Sequence, residues 1–442
     1  MVIDATKTAT STDPIALLLR GEYRDPETGA MVGLKTKSIV IEDSLAGSEA
    51  ELVAGLDLGR TIAVVSDPTT HEVLCARVEK ALASRGRVLS IVLERNPHAD
   101  DANVARIRAA AAGATGFVAV GSGTINDLTK YASALEGKPY AVFGTAPSMN
   151  GYTSRTASIT QHGHKLTLPA QAPVGAFFDL SVLAAAPPPM IRAGLGDSIC
   201  RNTAQADWLL SHLLFGTAYR ELPFTLLSGD ELRLLDSAPD LVTGDLGAMR
   251  TLVRVLLLSG CGTAIVGSSA PASQAEHLVS HYIDMLQPVT RPSVLHGEQV
   301  GVTTLSVARL YEAVLDGPAP VLAPDMLTPE DVHRTFGDDL TPSVWPEFEA
   351  KRLNRAKADT LNAALAAQWP SIQAQLSEIL LSAARTEAVL AAAGNPLAPE
   401  AIHLDRAFYQ AALVHGREIR NRYTILDLAA QSGRLQPTLA SL

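Results

Sequence analysis

Apolar and polar positions follow two rhythms along this chain. From Ser38 onward, short apolar runs alternate with stretches whose apolar residues recur every three or four positions. Residues 39–41, 61–65 and 88–92 read as strands, and 72–84 and 101–112 as helices. Residues 117–120 continue the series as a strand suited to burial on both faces. A helix follows from Thr124, a residue able to cap it, with Ile125, Leu128, Ala132 and Leu135 on one face. Residues 140–143 and a run ending at 176–180 add two strands. Such alternation predicts parallel βαβ units. Beyond Pro187-Pro188-Pro189 the rhythm changes, and Ala- and Leu-rich segments at 193–214, 247–258, 272–285, 297–315, 359–393 and 403–420 read as helices. The expected organisation is an extension over 1–37, an α/β domain over 38–188 and a helical domain over 189–442. The extension, polar around one apolar run at 15–19, is expected to be loosely attached.

Composition narrows the partners. A chain of 442 residues can bury two full cores without disulfides, and its three cysteines, Cys75, Cys200 and Cys261, show no paired spacing, which suits a reducing compartment. A formal net charge of −10 argues against nucleic acid as a general partner while allowing a local basic pocket for phosphate. No window approaches twenty uninterrupted apolar residues, and residues 1–14 lack the apolar core of a signal peptide. These features point to a soluble cytoplasmic protein without membrane insertion.

Candidate chemistry gathers in two places. Gly121-Ser122-Gly123-Thr124 lies between a strand and a helix, where glycines let the backbone turn sharply and the first helical N–H groups suit a pyrophosphate. The turn lacks the third glycine of the dinucleotide fingerprint, so it reads equally as a structural turn. Past the next strand comes a polar loop with Thr145, Ser148, Asn150 and Ser154, placed where parallel strands end and ligands bind. Asp67 before Pro68 can meet an adenosine ribose or simply start a turn. Lys165, beside His162 and His164, can anchor a phosphate or sit solvated in a turn. In the helical half, Asp197 follows a glycine turn, His277 and His281 share a helix face, and His296 precedes a glycine. Singly, these read as an N-cap, surface histidines and a helix start. Asp197 and two imidazoles together make a three-ligand divalent-metal site that keeps a position open, if the fold brings the segments together.

GSGTINDLTKYA with TAPSMNGYTS resembles the sn-glycerol-1-phosphate dehydrogenase family, within the superfamily of iron-containing alcohol dehydrogenases and dehydroquinate synthases. The resemblance runs from about residue 62 to the last helices and implies a Rossmann-like parallel-sheet domain followed by an all-helical, dehydroquinate-synthase-like domain. It implies that Asp197, His277 and His296 ligate the metal, that His281 contacts substrate, and that Gly121, Ser122, Gly123, Thr124, Thr145, Ser148 and Ser154 meet NAD(H) or NADP(H). The expected activity is metal-dependent reduction of dihydroxyacetone phosphate to sn-glycerol 1-phosphate, with zinc, nickel or iron as the metal and a homodimer or larger assembly. Asn150 departs from the family's usual Asp, losing its charge and gaining donors. That keeps a different polyol in view, beside a cyclase of the same scaffold and an inactive nucleotide-binding protein.

Overall fold

The computed structural model describes residues 12–161, 164–288 and 290–441. Its strands are β1 (Tyr23–Arg24), β2 (Met31–Val32), β3 (Ser38–Glu42), β4 (Thr61–Ser66), β5 (Arg87–Val92), β6 (Gly116–Gly121), β7 (Tyr140–Gly144), β8 (Thr156–Gln161), β9 (His164–Pro169) and β10 (Gly175–Asp179). Six of them form one sheet in the order β3-β10-β7-β6-β4-β5, parallel at every pairing. β6, β7 and β10 are buried from end to end. Continuous apolar runs without polar alternation are what strands covered on both faces require. Val64, Val118, Phe143 and Phe177 fill the core beside the sheet.

Contacts divide the chain into two compact units, residues 1–198 with 221–268 and residues 199–220 with 269–442. The sequence reading draws one boundary after residue 188; the chain instead passes from one unit to the other at 198/199, 220/221 and 268/269. The helix Leu246–Val266 belongs to the sheet unit because Gly260 carries no side chain: a β-carbon there would strike Thr153 and the Asn150 carbonyl. Among the described residues this is the one helix long and apolar enough to cross a membrane, and 56% of its apolar window is buried within the protein.

The described part of the N-terminal extension, residues 12–37, is not loosely attached. Asp13 caps the helix Pro14–Arg20, burying Ile15, Ala16 and Leu18, and pairs with Arg254 at 2.7 Å. Short apolar runs bury well when a cap and an ion pair fix their ends. Other expectations shift at element ends. Ser122, not Thr124, occupies the N-cap of Gly123–Leu135, and Leu135, the last residue of that helix, is 47% exposed. Residues 193–214 and 359–393 are each split, into Pro188–Ile199 and Arg201–Phe215, and into Arg355–Ile379 and Ala383–Ala392. The helix Pro329–Lys351 and the β8–β9 hairpin were not foreseen. Pro342, Pro346 and a break at Gly337 (φ 72°) hide the periodicity of that helix.

The second unit is helical. Leu210, Val279, Tyr311, Leu365, Tyr409 and Ile425 share its core. At its centre the buried Asp207 accepts from Ala275 N at 3.0 Å, Ile425 N at 2.6 Å and the Tyr311 hydroxyl at 2.6 Å. One carboxylate therefore satisfies the first N–H of two helices, one of them the helix that carries His277 and His281. Burial first, and then the neighbouring Glu276 charge, push its carboxyl up to about 8.

Candidate active site

In the sheet unit, β6 and β7 end side by side. Gly121 is in register with Gly144, and Thr145 N donates to Gly121 O at 3.2 Å. The glycine turn and the polar loop therefore leave the same edge of the sheet, where α/β folds receive ligands. Gly121 is required by crowding, while Gly123 has a flexible neighbour that can give way. A β-carbon at Gly121 would collide with Ile125, and one at Gly123 would lie 3.1 Å from Met149 Sδ. No side chain caps the first turn of Gly123–Leu135, which includes Thr124, so its N–H groups form an anion cradle of the kind a pyrophosphate fits.

The loop after β7 is held on several sides. The buried Tyr152 donates its hydroxyl to Ala146 O at 2.7 Å, and Thr153 donates to Leu257 O at 2.9 Å. A β-carbon at Gly194 would collide with the Pro147 carbonyl oxygen, so the helix Pro188–Ile199 can approach the loop at that point because the residue is glycine. Asn150 N donates to Asp197 Oδ2 at 2.8 Å, which aims that carboxylate at the loop. Ser154 faces inward: its hydroxyl contacts Gly151 O and Thr156 O, each at 3.0 Å, and accepts from Lys130 at 3.3 Å. Its side chain is thus spent on the loop, whereas Ser148 remains half-buried. Asp67 caps the short helix Pro68–Thr70 through Thr70 N at 2.9 Å, the plainer of its two sequence readings. Lys165 stands in β9 opposite Thr160, and its side chain, like His162, lies outside the described residues.

In the helical unit three imidazoles meet. The ring centres of His277 and His281 are 6.0 Å apart, those of His277 and His296 5.3 Å, and those of His281 and His296 5.9 Å. The spacing of four along Ala275–Leu286 puts the first two on one face, and His296 opens the helix His296–Leu315, which packs against that face. His277 Nδ1 lies 2.9 Å from Glu276 Oε1. Glu276 is fully buried and also accepts from Gln274 N at 2.9 Å and Thr203 Oγ1 at 3.1 Å. An imidazole whose Nδ1–H is held by a carboxylate presents the lone pair of Nε2, the arrangement that backs metal-ligating histidines. The donor chemistry of these residues fits a divalent cation of the zinc, nickel or iron kind.

Sequence reasoning passed over Glu276 and Lys130. Glu276 had a signal, an acid directly before a candidate ligand; Lys130 had a weaker one, a cation among buried positions of an amphipathic helix. A separate cavity of about 670 Å³ in the helical unit is lined by Trp208, Phe215, Lys357 and Arg422. None of the three imidazoles is in its wall, so it is not the site.

The chain is similar to known proteins in sequence and in fold. Residues 40–187 match the iron-containing alcohol dehydrogenase family. Among curated proteins, the chain is 32% identical to a glycerol-1-phosphate dehydrogenase (NAD(P)+) of Geobacillus thermodenitrificans, over 70% of each chain. It is 30% identical to the protein of the same name from Geobacillus stearothermophilus, over 89% of this chain and 93% of that one. Among solved structures, an alcohol dehydrogenase from Oenococcus oeni superposes with a TM-score of 0.60 at 12% identity, covering 92% of this chain and 98% of that one. A glycerol dehydrogenase from Schizosaccharomyces pombe gives 0.58 at 15% identity, covering 89% and 88%. At these identities the structural matches speak for the fold alone.

Proposed function

We propose, for a chain that belongs to the glycerol-1-phosphate dehydrogenases among the iron-containing alcohol dehydrogenases, reversible reduction of dihydroxyacetone phosphate to sn-glycerol 1-phosphate with NADH or NADPH. The observation that carries the reading is the imidazole cluster with Glu276 behind His277. An oxidoreductase of this family needs a cation site and a nucleotide cradle; the sheet unit offers the cradle and the helical unit the imidazoles.

Asp197, His277 and His296 would hold the divalent cation, with Glu276 fixing the ring of His277 and Asn150 N orienting the Asp197 carboxylate. When bound, the cation supplies Lewis-acid polarisation of a carbonyl and the nicotinamide supplies hydride. The chain's own residues do the rest. The turn Gly121–Thr124 receives the pyrophosphate on its N–H groups, with Thr145 and Ser148 beside it. The loop around Asn150 faces the substrate, Asn150 offering an acceptor and donors where relatives with Asp offer a charge. His281 orients the substrate and exchanges a proton with its oxygen, because its ring adjoins both other imidazoles. Lys165 is assigned to the substrate phosphate.

The test is oxidation of NADH and NADPH by metal-loaded protein with dihydroxyacetone phosphate, beside unphosphorylated dihydroxyacetone and a chelated control. Turnover that requires both metal and phosphate supports the reading. Binding of metal and nucleotide without turnover of either ketone would overturn it and assign Asn150 to a different polyol.

A further inference from the structure

We propose that Lys130 is a positioning residue that locks the polar loop to the glycine-turn helix, so that the nucleotide cradle and the substrate-facing loop form one rigid piece. The functional part of this rests on reading that loop as substrate-facing; the mechanical part does not.

Lys130 lies about two turns into the helix Gly123–Leu135 and is completely buried. Its ammonium donates to Gly151 O at 2.6 Å, Thr156 O at 3.0 Å, Asp127 Oδ1 at 3.2 Å and Ser154 Oγ at 3.3 Å. Three N–H donors are thus shared among four acceptors, three of them on the chain that leaves the loop. Asp127 extends the grip, accepting from Ser158 N at 2.9 Å through its other oxygen and from Asn126 Nδ2 at 3.0 Å. The pair therefore ties residues 151, 154, 156 and 158 to one helix, the helix whose first turn forms the cradle.

A fully buried ammonium is costly, since removal from water favours the neutral form. Burial indeed lowers the pKa of Lys130, while the Asp127 charge opposes that shift. A methionine could fill the same space, but it would leave the Gly151 and Thr156 carbonyls without this donor. The loop's other anchors, Asn150 N to Asp197, Tyr152 to Ala146 and Thr153 to Leu257, do not involve the helix. Removing the cation should therefore uncouple loop from cradle without releasing the loop altogether.

The experiment compares the full-length wild type, Lys130→Met and Asp127→Asn/Lys130→Met. The single variant leaves Asp127 without its cation and is expected to melt early; the double variant removes both charges and should melt close to wild type. Hydrogen–deuterium exchange over residues 151–158, NADH affinity by fluorescence and steady-state kinetics with dihydroxyacetone phosphate are then read on the double variant. The expected result is exchange in 151–158 at least about tenfold faster, NADH affinity within about threefold of wild type and kcat lower by about 100-fold, the scale that misplacement of a reacting group by an ångström produces. Wild-type exchange and kcat in the double variant would overturn the proposal, because charge balance would then be the only role of Lys130. If the wild type reduces no ketone, the functional reading fails, while exchange still decides whether Lys130 holds the loop. An unfolded double variant overturns positioning in favour of a purely structural role.

Discussion

The two units build their candidate sites from different material. In the sheet unit, backbone is brought close to backbone: Gly121 beside Gly144 at the sheet edge, Gly194 under Pro147 and Gly260 under Asn150 and Thr153. In the helical unit, side chains converge instead, with three imidazoles within 6.0 Å of one another and a carboxylate behind one of them. The difference teaches where each is vulnerable. A site made of close backbone fails when an atom is added, and one made of converging side chains fails when an atom is taken away.

The largest expected effect tests removal. His277→Ala should abolish stoichiometric metal binding, measured by elemental analysis after dialysis, and cut turnover by about 10³-fold, corresponding to several kcal/mol of lost electrostatic stabilisation. Glu276→Gln, which keeps the shape and removes the charge that holds His277 Nδ1, should weaken metal affinity by about 10–100-fold in a competition titration with a chelator. Unchanged affinity would show that His277 needs no orienting partner. Addition is tested by Gly194→Ala: its new methyl must displace the Pro147 carbonyl, at a cost of about 1–3 kcal/mol in thermal or denaturant unfolding. NADH affinity should fall with it, and metal binding by less, because only Asp197 of the three proposed ligands stands on that helix. If metal binding fell equally, the contrast between the units would collapse.

An effect on stability alone, confined to one pH window, concerns Asp207, whose carboxyl is raised to about 8 by burial and by Glu276. In the unfolded chain it ionises near pH 4, as an ordinary aspartate does. Between these values the native state retains a proton that the unfolded state has lost, so the contribution to stability is present at low pH and declines as pH rises towards 8. Asp207→Asn lacks this dependence. The difference in Tm between wild type and variant should therefore shrink as pH rises through that window, and a constant difference would show that the three donors keep the native carboxylate ionised.

Much of this was legible in the sequence, for identifiable reasons. Buried parallel strands announce themselves as uninterrupted apolar runs, and β4, β6 and β7 fall within a residue of their expected ends. The histidine pair was readable because a spacing of four has one meaning on a helix, and its meeting with His296 followed. Ser154 was not legible, since a hydroxyl that faces a ligand and one that turns back on its own loop have the same letter. Nor was the packing of residues 13–20: the helix that buries Ile15 and Leu18 is capped by Asp13, which pairs with Arg254, more than two hundred positions away. Pairings at that distance leave no periodicity to read.

The interleaving of the two units also sets a timetable for synthesis. The helix Arg201–Phe215, with buried Ala206 and Leu210, emerges from the ribosome ahead of everything else in its unit. Residues 221–268 must be made first, and they belong elsewhere. At ordinary elongation rates that is a delay of roughly 2–10 s, long compared with hydrophobic collapse. For those seconds an apolar helix waits without the later part of its unit, its buried face exposed in the nascent chain.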